Sequence, residues 1–428
     1  MSLPPALIWY RGMTRLAAPF LPAVLDRRAR HGKEDPARRH ERLGRPRQPR
    51  PDGRLVWLHG ASVGESLVLA TLVDALTERH PDLGFLVTTG TTTSASLLSE
   101  RLPAQGMHQY VPVDTPGAVC RFLEHWQPDL AIFAESELWP NLVVETARRD
   151  IPMALVNARM NDASIRNWRR RPDTARYLLG RFGWIGAADT RTRDGLEDLT
   201  GLPIALAGNL KLEARPPAAD PVEFDRLEPL LAGRPVWLAA STHAGEEEIV
   251  LDAHKAVLAR QPDALLILAP RHPDRADAIA RLAADRGLST VRRSQAADPD
   301  DRTQVWLADT LGEMPLWFAL APVSLIAGSL IPGIGGHNPV EASQAGSAVI
   351  TGPFVPSFDE LYATYRKRGA LLDAADASAL AAAVRTVWDG QGPPAGAART
   401  ALAEASGGAL ATTLAALESL LARREVIA

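Results

Sequence analysis

At 428 residues the chain exceeds what one hydrophobic core usually organises, so two domains are expected. With 46% hydrophobic and 23% charged residues it has the composition of a globular protein, and a net charge of -3 gives no general attraction for nucleic acid, so any basic site must be local. A single cysteine, Cys120, excludes an internal disulfide and a cysteine-rich zinc site, and fits a reducing, cytosolic compartment.

Residues 6–25, "ALIWYRGMTRLAAPFLPAVL", are apolar and about as long as the roughly 20 residues of a membrane span. Arg11, Arg15, Pro19 and Pro22 interrupt them, and no signal-peptide cleavage site follows. On a helical wheel Trp9, Met13, Leu16 and Phe20 share one face while Arg11 and Arg15 fall on the other, the pattern of a helix lying in a membrane interface. Between Arg27 and Arg50 ten Lys or Arg stand against three acidic residues, a composition suited to anionic lipid. The plainer alternative is a packed terminal helix followed by solvated charge. Residues 1–50 are therefore expected to form a membrane-associated amphipathic arm.

After residue 54, short apolar runs alternate with longer helical patterns: "LVWLH", "FLVTT", "LAIFAE", "MALVN", "WIGAA" and "IALAG". This alternation predicts a parallel sheet covered by helices, a Rossmann-like domain over 51–212. The proline-rich run at 213–221 reads as a linker. Alternation restarts with "VWLAAS", "ALLILAP", "QVWLAD", "VSLIAGS" and "AVITG", and ends in Ala-rich helices, predicting a second such domain over 222–428. Two doubly wound domains are expected to face each other across a cleft at the carboxyl ends of their strands, where such sheets bind ligands.

The polar signals fall in those loops. Neither half contains G-x-G-x-x-G or a phosphate-loop motif, which lowers the weight of dehydrogenase and ATPase readings. Arg271, in "LAPRHP", offers a donor fork for phosphate, and "NPVE", Asn338 to Glu341, opens a helix whose free N–H groups suit an anion. Glu341 is either a ribose acceptor or a first-turn carboxylate favoured by the helix dipole. Glu65, in "WLHGASVGES", is likewise either a helix-start carboxylate or a general base on a flexible strand-to-helix turn. Glu135 and Glu137, in "AESELWPN", and Lys211, in "GNLKLE", could hold opposite charges in a transition state. Arg159, Arg166 and Arg169, in "NARMNDASIRNWRRR", suit a polyanionic acceptor such as a phosphorylated lipid, or form a solvated basic loop. His59, His243, His272 and His337 are scattered without metal-ligand spacing, so no metal is expected.

Together "ASVGE", "ESELWPNL", "NARM", "GNLKLE", "STHAGEEE", "LLILAPRHP", "DTLGEM", "AGSL" and "GGHNPVEA" resemble, over nearly the whole chain, the 3-deoxy-D-manno-octulosonic acid (Kdo) transferases of lipopolysaccharide inner-core biosynthesis. The resemblance implies a GT-B glycosyltransferase fold and inverting, metal-independent transfer of Kdo from CMP-Kdo to the 6'-hydroxyl of a lipid A precursor at the cytoplasmic face of the inner membrane. It implies Glu65 as general base and Glu135 and Lys211 as transition-state stabilisers. CMP would be held by Pro270 and Arg271, by Leu311, Gly312 and Glu313, and by Asn338, Pro339, Val340 and Glu341. The chain departs from the family in one loop: between "GSL" and "GGHNP" it has "IPGI" where the family usually has three residues, often with an arginine. Two rivals are an enzyme using another nucleotide sugar on the same fold, and a membrane-associated nucleotide-binding scaffold without catalysis.

Overall fold

A computed structural model describes residues 2–214, 219–394 and 396–425. The chain divides into two compact units: Met1–Ala214 with Ser406–Ala428, and Arg215–Ala405. The expected linker at 213–221 includes the unit boundary; residues 215–218 of it lie outside the described residues, and Pro221 already opens the helix Pro221–Leu231, N-capped by Asp220.

The first unit is built on seven parallel strands, β1 Leu55–His59, β2 Gly84–Thr89, β3 Gly106–Tyr110, β4 Leu130–Ala134, β5 Met153–Ala158, β6 Trp184–Ala187 and β7 Ala205–Leu206, in the order β3-β2-β1-β4-β5-β6-β7. Every residue of β1 is buried: Leu55 and Trp57 pack into one apolar layer, Val56 and Leu58 into the other. A strand covered on both faces has no polar alternation, which is why it reads as a continuous apolar run. The second unit repeats the plan with β8 Val236–Thr242, β9 Leu265–Pro270, β10 Thr290–Arg292, β11 Val305–Leu307, β12 Val323–Ile326, β13 Ala348–Thr351 and β14 Leu371–Asp373, all parallel, in the order β10-β11-β9-β8-β12-β13-β14. The three strands absent from the sequence reading, β3, β10 and β14, are all sheet edges.

The C-terminus corrects the expected boundary, which assigns 222–428 to one domain. The helix Ala409–Glu425 belongs with the first unit, where Leu414, Leu417, Leu420 and Leu421 are buried in the same layer as Val56, Val87 and Leu130. The Leu410 amide donates to Glu213 at 3.2 Å and the Arg54 guanidinium to the Leu421 carbonyl at 3.1 Å. Each buried leucine is worth roughly 1.5–3 kcal/mol, and that burial, rather than chain continuity, decides which sheet a terminal helix covers.

The N-terminal arm is also part of the first unit. It forms the helix Pro5–Ala17, a tight turn Ala18–Phe20 containing Pro19, and the helix Leu21–Arg30. Leu7 and Leu25 are buried. Tyr10 donates to Asp114 at 2.9 Å, and Arg11 donates to Asn141 at 3.2 Å and pairs with Glu145. The arm is thus anchored through polar groups, and Ile8, Trp9, Met13, Leu16, Phe20 and Val24 point outward, between 47% and 72% exposed. The basic run is only partly free for lipid. Arg28 and Arg42 pair with Glu34, Arg38 with Glu41, and Arg39 with Asp26, while Arg50 donates to the Trp126 carbonyl. Among the described residues no single helix is long and apolar enough to cross a membrane; the helices Ala397–Ser406 and Ala409–Arg423 pass only as a pair bent by 40°.

Candidate active site

In the first unit the loops after β1 and β4 and the turn Leu210–Leu212 bring Glu65, Glu135, Glu137 and Lys211 to the carboxyl end of the sheet. Glu65 sits in the first turn of the helix Val63–Arg79, in a reciprocal cap. The Glu65 amide donates to Ser62 Oγ at 3.3 Å, while its carboxylate accepts the Ser62 hydroxyl and the Ala61 amide, each at 2.7 Å. Gly60 allows this: a Cβ there would stand 2.9 Å from Glu65 Cβ. A Cβ on Gly64 would stand 3.4 Å from Lys211 Nζ, so the lysine lies against the loop that presents Glu65. Each Glu65 oxygen is left with a second lone pair, which is what a base at a flexible turn requires.

Lys211 Nζ pairs with Glu135 Oε1 at 2.5 Å. Glu135 leaves β4 in the left-handed region, φ 54°, and Asn157 at the end of β5 does the same, φ 49°. Such backbone conformations in non-glycine residues are costly and persist where surrounding contacts impose them. Here Asn157 is the tie: its Oδ1 accepts the Leu210 amide at 2.9 Å and its Nδ2 reaches Glu135 Oε1 at 3.5 Å. In the sequence the only sign of this role is a polar residue near the end of an otherwise apolar strand, "MALVNA". In such a cluster a carboxylate can accept a hydroxyl proton while the lysine balances charge as a bond breaks.

Arg159, Arg166 and Arg169 do not converge on that cluster as free cations. Arg159 stands 3.8 Å from Asp189 and Arg169 3.3 Å from Asp198. Arg166 and Arg169 line a surface groove of about 410 Å³ that Asp162, Arg191 and Asp198 share. A polyanion there would have to displace aspartates.

In the second unit the candidate nucleotide residues follow β9, β11 and β12, at the carboxyl ends of these strands. Pro270 ends β9, and the amide of Arg271, an exposed residue, donates to the Thr242 carbonyl at 2.9 Å. Leu311 is 80% exposed beside Gly312, φ 86°. Burial would raise the Glu313 carboxyl, but hydrogen bonds from Arg293, at 2.6 Å, and Thr310 hold it below the usual carboxylate range. Its side chain is therefore already committed. Asn338 accepts the Val340 amide at 3.1 Å, and Val340 opens a helix of only six residues, Val340–Ala345. Burial raises the Glu341 carboxyl.

Two features of this unit escaped the sequence reading. Glu246, fully buried, accepts four backbone amides: His243 at 3.0 Å, Gly328 at 2.8 Å, Ser329 at 3.0 Å and Leu330 at 2.9 Å. It fixes the loop after β12 against the loop after β8. The His243 and His337 rings stack, with their Nε2 atoms 2.8 Å apart, and burial, with Arg271 adding, pushes both imidazoles down. "STHAGEEE" carried the signal as three successive acids after a buried strand. Among the described residues no group of three or more His, Cys, Asp or Glu is placed to hold a metal ion.

A family model described as "3-Deoxy-D-manno-octulosonic-acid transferase (kdotransferase)" matches residues 37–214. The chain is 36% identical, over 360 residues, to a probable mitochondrial 3-deoxy-D-manno-octulosonic acid transferase of Arabidopsis thaliana, covering 82% of this chain and 80% of that protein. It is 36% identical over 347 residues to the 3-deoxy-D-manno-octulosonic acid transferase of Rickettsia bellii, covering 80% and 82%. Among solved structures, the UDP-GlcNAc 2-epimerase of Neisseria meningitidis aligns with a TM-score of 0.55 at 13% identity, over 86% of this chain and 100% of that one, a likeness of fold alone. Two parallel-sheet units make this a GT-B fold, and at this identity over most of its length the chain belongs to the 3-deoxy-D-manno-octulosonic acid transferase family of glycosyltransferases.

Proposed function

We propose that this Kdo transferase takes its sugar from CMP-Kdo and attaches it to the 6'-hydroxyl of a lipid A precursor, with inversion and without a metal ion. The observation that carries the reading is the assembly of Glu65, Glu135 and Lys211 at the carboxyl end of the first unit's sheet, in a family member, with Glu65 held by Ser62 and Ala61 and Lys211 paired to Glu135. Glu65 removes the proton of the acceptor hydroxyl as it attacks the anomeric carbon. Lys211 and Glu135 balance the charge that moves toward the departing CMP. Arg271 and the "NPVE" turn of the second unit hold the nucleotide, the guanidinium meeting the phosphate.

The acceptor is a lipid, and the outward apolar face of the N-terminal arm supports docking on the cytoplasmic face of the inner membrane as a peripheral enzyme. Arg27, Arg30, Lys33, Arg45 and Arg47, which make no ion pair among the described residues, supply the attraction to anionic headgroups. Mass spectrometry of a tetraacylated lipid A precursor incubated with CMP-Kdo tests the reading. A product heavier by Kdo is expected; conversion with a UDP-sugar instead, or none with either donor, overturns it.

A further inference from the structure

The helix Pro5–Ala17 presents two different faces. Trp9, Met13 and Leu16 point outward, and the stripe at helical spacing on the inner side is Leu7, Tyr10, Arg11 and Thr14. A helix that only covers a core buries an apolar stripe; here Leu7 alone is apolar, and the other three meet polar groups of the first unit. Tyr10 donates to Asp114 Oδ2 at 2.9 Å, Arg11 donates to Asn141 Oδ1 at 3.2 Å and pairs with Glu145, and Thr14 Oγ1 accepts Asn141 Nδ2 at 3.1 Å. Asp114, Asn141 and Glu145 are all buried. Contacts of this kind add little net stability but fix position, because a shift of the helix leaves a buried polar group without its partner.

What they hold is the helix Pro140–Ala147, which continues directly from the turn at 135–139. Trp139 stands at its N-cap position and makes no capping bond. Asp114 caps it instead, accepting the Asn141 amide at 3.1 Å and the Leu142 amide at 2.9 Å on the carboxylate that Tyr10 also reaches. The Val143 amide donates back to the Trp139 carbonyl at 3.0 Å, and Trp139 Nε1 donates to Glu137 Oε2 at 2.5 Å. Glu135 opens this turn at φ 54°, a conformation that a non-glycine residue keeps only where its surroundings impose it. Asn157 and Lys211 hold its side chain; the capped helix holds the backbone that follows it.

We propose that Tyr10 and Arg11 are positioning residues: the inner face of the N-terminal arm seats the helix Pro140–Ala147 and, through it, keeps Glu135 against Lys211 for sugar transfer. The inference rests on the Kdo-transfer reading, in which Glu135 acts on the reaction. Membrane contact and catalytic geometry then belong to opposite faces of one helix, and substitution separates them.

Tyr10→Phe removes one hydroxyl, and Arg11→Met withdraws the donor from Asn141 and Glu145. Assayed in detergent micelles, at a temperature where circular dichroism shows both variants folded, each is expected to lower kcat about twofold to thirtyfold while KM for CMP-Kdo holds. Attachment to anionic vesicles is expected to match the parent. Hydrogen exchange of a peptide spanning residues 135–142 is expected to quicken in both variants, and Arg11→Lys, which keeps a donor, to recover part of both losses. Parental kcat in both variants, a kcat loss that comes only with lost vesicle attachment, or exchange at 135–142 that matches the parent overturns the proposal. The exchange measurement needs no turnover, so it decides this proposal even if the protein transfers a different sugar.

Discussion

Glu65 caps its helix in this structure and is proposed as the general base, and a pair of substitutions separates the two roles. As the third residue of its helix it accepts the Ala61 amide and the Ser62 hydroxyl, each at 2.7 Å, while Ser62 accepts the Glu65 amide. Gln serves the same capping position, its side-chain oxygen taking one of these donors, so Glu65→Gln is expected to fold like the parent. Ala provides no acceptor, and loss of a cap costs about 0.5–2 kcal/mol. In a domain of this size that lowers the melting temperature by about 2–4 °C per kcal/mol. Catalytically the two variants are equivalent, because neither can take a proton; loss of a general base typically lowers the rate by about 10²- to 10⁴-fold. Initial rates of Kdo transfer, set beside thermal unfolding of the same preparations, give both numbers. The expected pattern is equal rate loss with unequal stability. A Gln variant that transfers at the parental rate would show Glu65 to be a cap and nothing more, and a Gln variant as destabilised as Ala would leave its rate uninterpretable and refute the capping reasoning.

Arg271→Ala is expected to weaken CMP binding by about 1.5–3 kcal/mol, the range for a hydrogen bond to a charged group, read by calorimetry; unchanged affinity would move the nucleotide elsewhere. Replacing Trp9 and Phe20 with Ser is expected to weaken attachment to anionic vesicles at least about tenfold, each aromatic contributing roughly 1.5–3 kcal/mol when buried, while thermal stability holds because both side chains point outward. Unaltered vesicle binding would place the membrane contact elsewhere. Deleting residues 1–50 is a poorer test, because Leu7, Tyr10 and Arg11 are built into the first unit. Glu246→Gln turns an NH₂ group toward amides that need an acceptor, with an expected loss of about 1–3 kcal/mol in urea unfolding and a raised KM for CMP-Kdo; an unchanged midpoint would remove Glu246 from the account.

The central strands of both sheets are legible in the sequence because burial on both faces writes a continuous apolar run, as in "LVWLH". Edge strands carry no such mark: β3 reads "GMHQY", with His108 and Gln109 inside it, and β10 and β14 are three residues each. The leucines of the C-terminal helix announce an apolar face but not which sheet receives it. The arm shows the same limit in its charges. The apolar stripe of Trp9, Met13, Leu16 and Phe20 is outward as the helical wheel predicts, yet several arginines counted as lipid-facing are spent on Glu34, Glu41 and Asp26. At the site, the motifs locate Glu65, Glu135 and Lys211 on their loops, but what Asn157 and Glu246 do depends on neighbours far away in sequence.

The most direct measurement is the structure of the product formed by the intact protein from CMP-Kdo and a lipid A precursor, in excess chelator, read by nuclear magnetic resonance. The account predicts one molecule of CMP released per lipid converted, Kdo linked to the 6' position, and an anomeric configuration inverted relative to the donor. Retained configuration, attachment at another hydroxyl, or transfer that stops when the chelator is added would contradict it.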